Sequence, residues 1–173
     1  MTEKQRKILS VALRRFAQDG FDSTSTNSIA KESEVSEGLI FRHYKNKQGL
    51  LDAIIEHGMC AASEYIENVI AIEDPKSLIK AAISLPFQID ESEYDFWRLM
   101  YALKWQKGVY NNDAFDDLNK SLEGAFKKLG YKNPKEEAEF VEVITDGVAT
   151  GILLKDADFS SMLQVILNKY DLK

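Results

Sequence analysis

The chain has little of several things, and each scarcity excludes something. A single cysteine, Cys60, rules out an intrachain disulfide framework and points to a reducing, cytoplasmic setting. Two histidines, His43 and His57, fourteen positions apart and without a Cys or carboxylate cluster, give no metal-ligand spacing and no triad. No catalytic residue, metal or cofactor is therefore expected, and the chain does not read as an enzyme. Only three prolines and nine glycines in 173 residues disfavour a turn-rich sheet protein. No apolar run approaches the ~18 residues of a membrane span, and the opening MTEKQRKIL mixes basic with apolar residues, unlike a signal peptide. No membrane association is expected.

What remains is an ordinary globular balance, 45% apolar and 29% charged, enough for one or two packed domains. The net charge of −6 is unevenly placed. Residues 1–50 hold nine Lys and Arg against six Asp and Glu; residues 51–173 hold thirteen against twenty-two. The head carries +3 and the body −9, so one end is suited to a polyanion.

Helical periodicity runs throughout, and no window alternates with period two. Ile8, Leu9, Ala12, Leu13 and Phe16 define an amphipathic helix over 3–19, closed by Gly20. Ser25 marks the start of a short helix, 26–33, and Ser36 the start of another ending near Tyr44. Asn46 opens a long helix to about residue 71. Further helices are expected at 75–85, 91–107, 113–129, 134–155 and 158–170. Two short helices joined by a turn and braced by a preceding helix form a helix-turn-helix. The expected architecture is all-α. An N-terminal three-helix domain, 1–46, is joined to a C-terminal helical domain, 47–173.

The stretch Ser36–Lys47, SEGLIFRHYKNK, concentrates residues that suit DNA. Ser36, Glu37, Gly38 and Leu39 occupy the start of a recognition helix, where base edges are read. Glu37 suits a cytosine amino group or simply the helix dipole; Leu39 suits a thymine methyl or the core. Arg42 suits base or phosphate, and Phe41, His43 and Tyr44 flank it. Ser25 and Thr26, at a helix start, and Lys47 are candidate phosphate contacts.

These residues carry a family resemblance. Ile8, Ala12, Phe16, Gly20-Phe21, Thr24-Ser25, Ile29-Ala30, Val35-Ser36, Gly38, Phe41, His43-Tyr44, Lys47 and Leu50-Leu51 resemble, without a gap, the N-terminal domain of the TetR family of bacterial transcriptional regulators. The resemblance covers about a quarter of the chain. It implies a dimeric regulator of double-stranded DNA, most often a ligand-responsive repressor on a palindrome. Four residues depart from the family pattern. Ser33-Glu34 stand where Ala-Gly is usual, Phe41 replaces a tyrosine, and Gly49 replaces an acidic residue.

In the body, Phe87, Phe96, Trp97, Met100, Tyr101, Trp105, Tyr110 and Phe126 form an aromatic-rich set that suits a small hydrophobic effector, or a helical core. Val141, Ile144, Val148 and Ile152 form one stripe of helix 134–155, with Phe140, Val143, Gly147 and Leu154 off it. Gly147 and Gly151 allow close helix approach. Val141, Ile144, Gly147, Val148, Gly151, Phe159, Met162 and Ile166 are the expected homodimer interface. The alternatives are a helical protein-interaction module or a regulator with no small-molecule effector.

Overall fold

Several helices begin where the sequence supplies a capping side chain. In the computed structural model, which describes residues 1–104, 113–155 and 157–172, α1 (Glu3–Gln18) starts at Thr2. The Thr2 hydroxyl accepts from the Gln5 N–H, and the Gln5 side chain accepts from the Thr2 N–H. Ser25 opens α2 (Thr26–Glu32) by accepting from the Ser28 N–H at 3.1 Å. α3 spans Glu37–Tyr44 and α4 spans Lys47–Ile70. Asp74 caps α5 (Pro75–Ser84) through the Ser77 N–H, with Pro75 in the first turn. Pro86 then confines the chain to a 3-10 turn at Leu85–Phe87.

Two expectations change in extent. The helix expected over 91–107 begins as a 3-10 turn at Glu91–Glu93, and α6 proper is Tyr94–Leu103; its last expected residues lie outside the described ones. The final helix, expected from 158, starts later. α9 is Met162–Lys169, because the Asp158 carboxylate accepts the Ser160 N–H at 2.9 Å and holds a turn there instead. α7 (Asp113–Lys128) and α8 (Pro134–Lys155) match their periodicity. No strand occurs among the described residues.

The chain divides into two compact units. The first comprises Met1–Ala61 and the described part of Ser92–Tyr110; the second comprises Ala62–Glu91 and the described part of Asn111–Lys173. The helix-turn-helix segment 1–46 lies within the first. Its core joins Ile8, Ala12 and Phe16 of α1 to Ile29, Ile40, Leu50 and Leu51, each at most 2% exposed. From far along the sequence, α6 adds Phe96, Leu99, Met100 and Leu103 to the same cluster. Each such buried side chain stabilises by about 1.5–3 kcal/mol.

The second unit has its own core, including Ile79, Ile83, Leu122, Phe126, Val141, Val148 and Ile166. Phe126, Tyr131 and Tyr170 pack with ring centroids 5.0–6.3 Å apart. The Tyr170 hydroxyl donates to Glu137 at 3.0 Å. Burial first, and the adjacent Glu137 carboxylate second, push that hydroxyl well above the ordinary tyrosine range.

Candidate nucleic-acid interface

α3 is held at both ends by unusual backbone. Between α2 and α3, Glu34 adopts φ +58°, the left-handed region in which glycine is at ease. The Val35 N–H donates to Ala30 O at 3.0 Å and the Glu34 N–H to Lys31 O at 3.2 Å, the closure that such a conformation permits. Glu34 therefore takes the turn that glycine would take, and Lys7 Nζ meets its carboxylate at 2.5 Å. The lysine's hydrogen bond and charge hold the Glu34 carboxyl below its usual range.

Between α3 and α4, Lys45 sits at φ +67°, ψ −47°, and the Asn46 N–H donates to Tyr44 O at 2.8 Å, a tight three-residue turn. The Asn46 side chain accepts from the Gly49 N–H at 2.8 Å, the cap expected of it. Gly49 is required by this turn. A Cβ there would lie 2.0 Å from Tyr44 O.

Ion pairs tie α2 to α1. Glu32 receives Arg15 Nε at 2.6 Å and also pairs with Arg14. Those arginines thus brace the helix-turn-helix in addition to lining α1.

The expected DNA residues fall into two groups. One group faces outward. Ser36 has the backbone of a cap, yet its hydroxyl makes no capping bond. Gly38 and Arg42 are exposed, and a Cβ added at Gly38 would meet nothing within 4 Å. Phe41 is 44% exposed although it is large and apolar. Ser25 is exposed while capping α2.

The other group is occupied within the protein. Glu37 accepts from the Thr26 hydroxyl at 2.6 Å and from the Asn27 amide at 3.4 Å, so it bridges α3 to α2. His43 Nδ1 lies 3.3 Å from the Gln5 amide nitrogen, which can only donate. Leu39 and Tyr44 are half-buried against the first core, and burial raises the Tyr44 hydroxyl above its ordinary range. Lys47 turns its ammonium inward onto three backbone carbonyls, at Phe21 (2.8 Å), Asp22 (3.3 Å) and Thr24 (3.0 Å). The side chain expected to clamp a phosphate is thus bonded within the protein. The partners of Glu37 and Lys47 lie 10 to 26 residues away, beyond any local spacing signal.

The expected effector residues do not form one cluster. Phe96 and Met100 are core residues of the first unit, with Trp97 half-buried against them. Tyr101 has the Lys104 ammonium 5.5 Å from its ring. Phe126 is fully buried in the second unit, where Phe87 packs on the same core. Trp105 and Tyr110 lie outside the described residues. The second unit contains an open cleft of about 350 Å³. Ile70, Ile72, Pro75, Leu78 and Ala125 line it, with Glu73, Ser121 and Lys128, and among the described residues none of the expected effector set does.

The expected interface residues are likewise redistributed. Val141, Val148 and Ile166 are at most 6% exposed within the second core, and Ile144 and Phe159 pack against it. Gly151 is buried; a Cβ on it would meet the Phe159 ring at 2.1 Å. The outward stripe of α8 is the other one: Phe140 (47% exposed), Val143 (69%), Gly147 and Leu154 (49%). On α9, Met162 and Val165 are also exposed. The expected set drew mostly on the inner stripe, while two of its members, Gly147 and Met162, face outward.

Among the described residues no group of His, Cys, Asp and Glu could hold a metal ion, and no helix is long and apolar enough to cross a membrane.

Residues 8–54 match the family described as bacterial regulatory proteins, tetR family. A Bacillus subtilis relative, the uncharacterized HTH-type transcriptional regulator YerO, is 30% identical over 99 residues, 56% of this chain and 34% of its own. The Staphylococcus aureus biofilm operon icaADBC negative transcriptional regulator IcaR is 22% identical over 169 residues, 96% of this chain and 82% of its own. A transcriptional regulator from Saccharomonospora viridis, solved with choline, superposes with a TM-score of 0.73 at 22% identity, over 98% of this chain and 96% of that one. The chain spans 20–34% of the length of the first curated relatives it matches.

Proposed function

Because the chain belongs to the TetR family of bacterial regulatory proteins, we propose that it represses transcription as a homodimer with one head on each half-site of a palindromic operator. The observation that carries this reading is the outward group on α3. Ser36, Gly38 and Arg42 present an unpaired hydroxyl, a bare backbone and an exposed guanidinium at the part of a recognition helix that reads a major groove. Arg42 suits guanine or phosphate, and Phe41 a thymine methyl. The half-sites would lie one helical turn apart, about 34–36 Å, or a multiple of it. Repression is favoured over activation by the similarity to a negative regulator along nearly the whole chain.

The second copy docks on the exposed α8 stripe. Phe140, Val143, Gly147 and Leu154 follow spacings of three, four and seven, one face of a helix. Met162 and Val165 extend it onto α9. Helices of two copies packed there make a four-helix interface across a twofold axis.

A small effector is the proposed signal, and the cleft between Ile70 and Lys128 is its candidate place, with walls that mix apolar and polar surface and carry one charge of each sign. A ligand that binds one spacing of the two heads better shifts the population, and DNA opposes it by the same factor.

Gel shift with the region upstream of the protein's own coding sequence tests this reading. Wild type should give a discrete complex that survives competitor DNA, and Arg42→Ala should abolish it. Val143→Lys should convert dimer to monomer in sedimentation and weaken the complex. A folded dimer with no sequence preference at low salt would overturn the proposal and favour a helical interaction module.

A further inference from the structure

Lys47 stands where DNA is expected, but its charge is already used. An ammonium has three N–H donors, and three carbonyl oxygens, of Phe21, Asp22 and Thr24, stand 2.8–3.3 Å from Nζ. The Phe21 ring closes a fourth side, with Nζ 4.4 Å from its centroid. The cage is itself anchored. Phe21 packs edge-on against Phe16 of the first core at 5.1 Å. Buried Thr24 donates its hydroxyl to Gly20 O at 2.8 Å. The segment between α1 and α2 thus wraps an internal cation supplied by α4. Moving that cation to a phosphate would strand the carbonyls of Asp22 and Thr24, the latter part-buried, and leave Phe21 O with only the Thr24 N–H at 3.3 Å, which is costly where water is scarce.

We propose that Lys47 is a positioning residue, whose ammonium fixes the path of residues 21–24 and so the pose of the α2–α3 pair on DNA, without touching phosphate itself. This rests on the DNA-binding reading above, and only its second half does.

Arginine separates the two roles. Guanidinium serves a phosphate at least as well as ammonium does, but its planar fork cannot meet three converging carbonyls. The experiment compares wild type, Lys47→Arg and Lys47→Met on a short random-sequence DNA duplex, for which phosphate contacts supply essentially all the affinity. It also measures Tm of the DNA-free protein. Both variants should lower Tm by on the order of 5 °C. Both should weaken duplex binding by about tenfold, a change of ~1.4 kcal/mol. The slope of log K against log salt should stay unchanged.

Wild-type affinity in Lys47→Arg, with Lys47→Met losing about 0.9 of slope per head, would overturn the proposal. So would an unchanged Tm in both variants. Should either variant fail to fold, NMR of the wild type decides. Contacts between the Lys47 side chain and the Phe21 ring should persist when duplex is added, and their loss refutes the inference. A wild type that binds no duplex sinks the regulatory reading and the role in DNA binding together, while Tm still reports whether the cation holds the segment.

Discussion

Replacing Ser33 by alanine should make the protein more stable. Ser33 ends α2 and is 2% exposed, and its Oγ is the buried side-chain oxygen that has no hydrogen-bond partner among the described residues. Its backbone is not at issue. The N–H donates to Ile29 O at 2.9 Å, and φ −77°, ψ −5° suits any residue. An unpaired buried hydroxyl costs about 1–3 kcal/mol. Alanine removes that cost and keeps the Cβ. The void left behind is smaller than a methylene, so its penalty is below about 1 kcal/mol. The net gain is about 1 kcal/mol, or a rise in Tm of ~2–4 °C for a chain of this length. Calorimetry at one fixed protein concentration measures it, because the Tm of any oligomer moves with concentration. Ser36→Ala is the control. Its hydroxyl is exposed and caps nothing, so Tm should hold within the ~0.5 kcal/mol of a neutral surface change. A lower Tm for Ser33→Ala would refute the reasoning, since it would mean that the hydroxyl is bonded in solution.

The remaining expectations concern the turns and the recognition helix. Glu34 is held below the usual carboxyl range by Lys7, so its pair stabilises above the unfolded value, about 4.3, and is lost as pH falls through the folded one. Lys7→Met should therefore flatten the acid limb of a Tm-against-pH curve; an unaltered limb would show that the pair contributes nothing. Gly38→Ala should stabilise the free protein by about 0.5–1 kcal/mol, since its Cβ has open space. The same methyl should weaken operator binding, and an undiminished gel shift would place Gly38 away from the groove. Gly49→Ala puts a Cβ 2.0 Å from a backbone oxygen, so urea unfolding should report a loss of about 1–3 kcal/mol or more.

Many helix boundaries were legible because caps and periodicity are local. Thr2, Ser25, Asn46 and Asp74 each bond a backbone N–H about three residues on, within reach of a short window. The candidate site was legible in its residue types and less so in their roles. Lys47 and Glu37 read as contacts because they are charged and lie at helix starts. Their actual partners come from segments that only the fold brings near. Glu34 shows the converse. Its place in the turn was marked by the resemblance, and its φ of +58° follows from the hydrogen bonds that the turn must close. In α8 both stripes are apolar, so periodicity alone does not decide which one the monomer buries. Gly49 read as a missing cap partner. Its use is to admit a carbonyl, which no composition rule anticipates.

The sharing of the first core between α1 and α6 has a consequence for how the protein is made. Ile8, Val11 and Phe16 are translated early, yet Phe96, Leu99, Met100 and Leu103 that cover them are translated some eighty residues later. During synthesis the head remains incomplete while α4 and α5 emerge, with an apolar face awaiting its cover. A gene fragment ending soon after Leu51 would give a head whose core stays open, prone to stick to other chains. The first unit is thus finished only once α6 has left the ribosome.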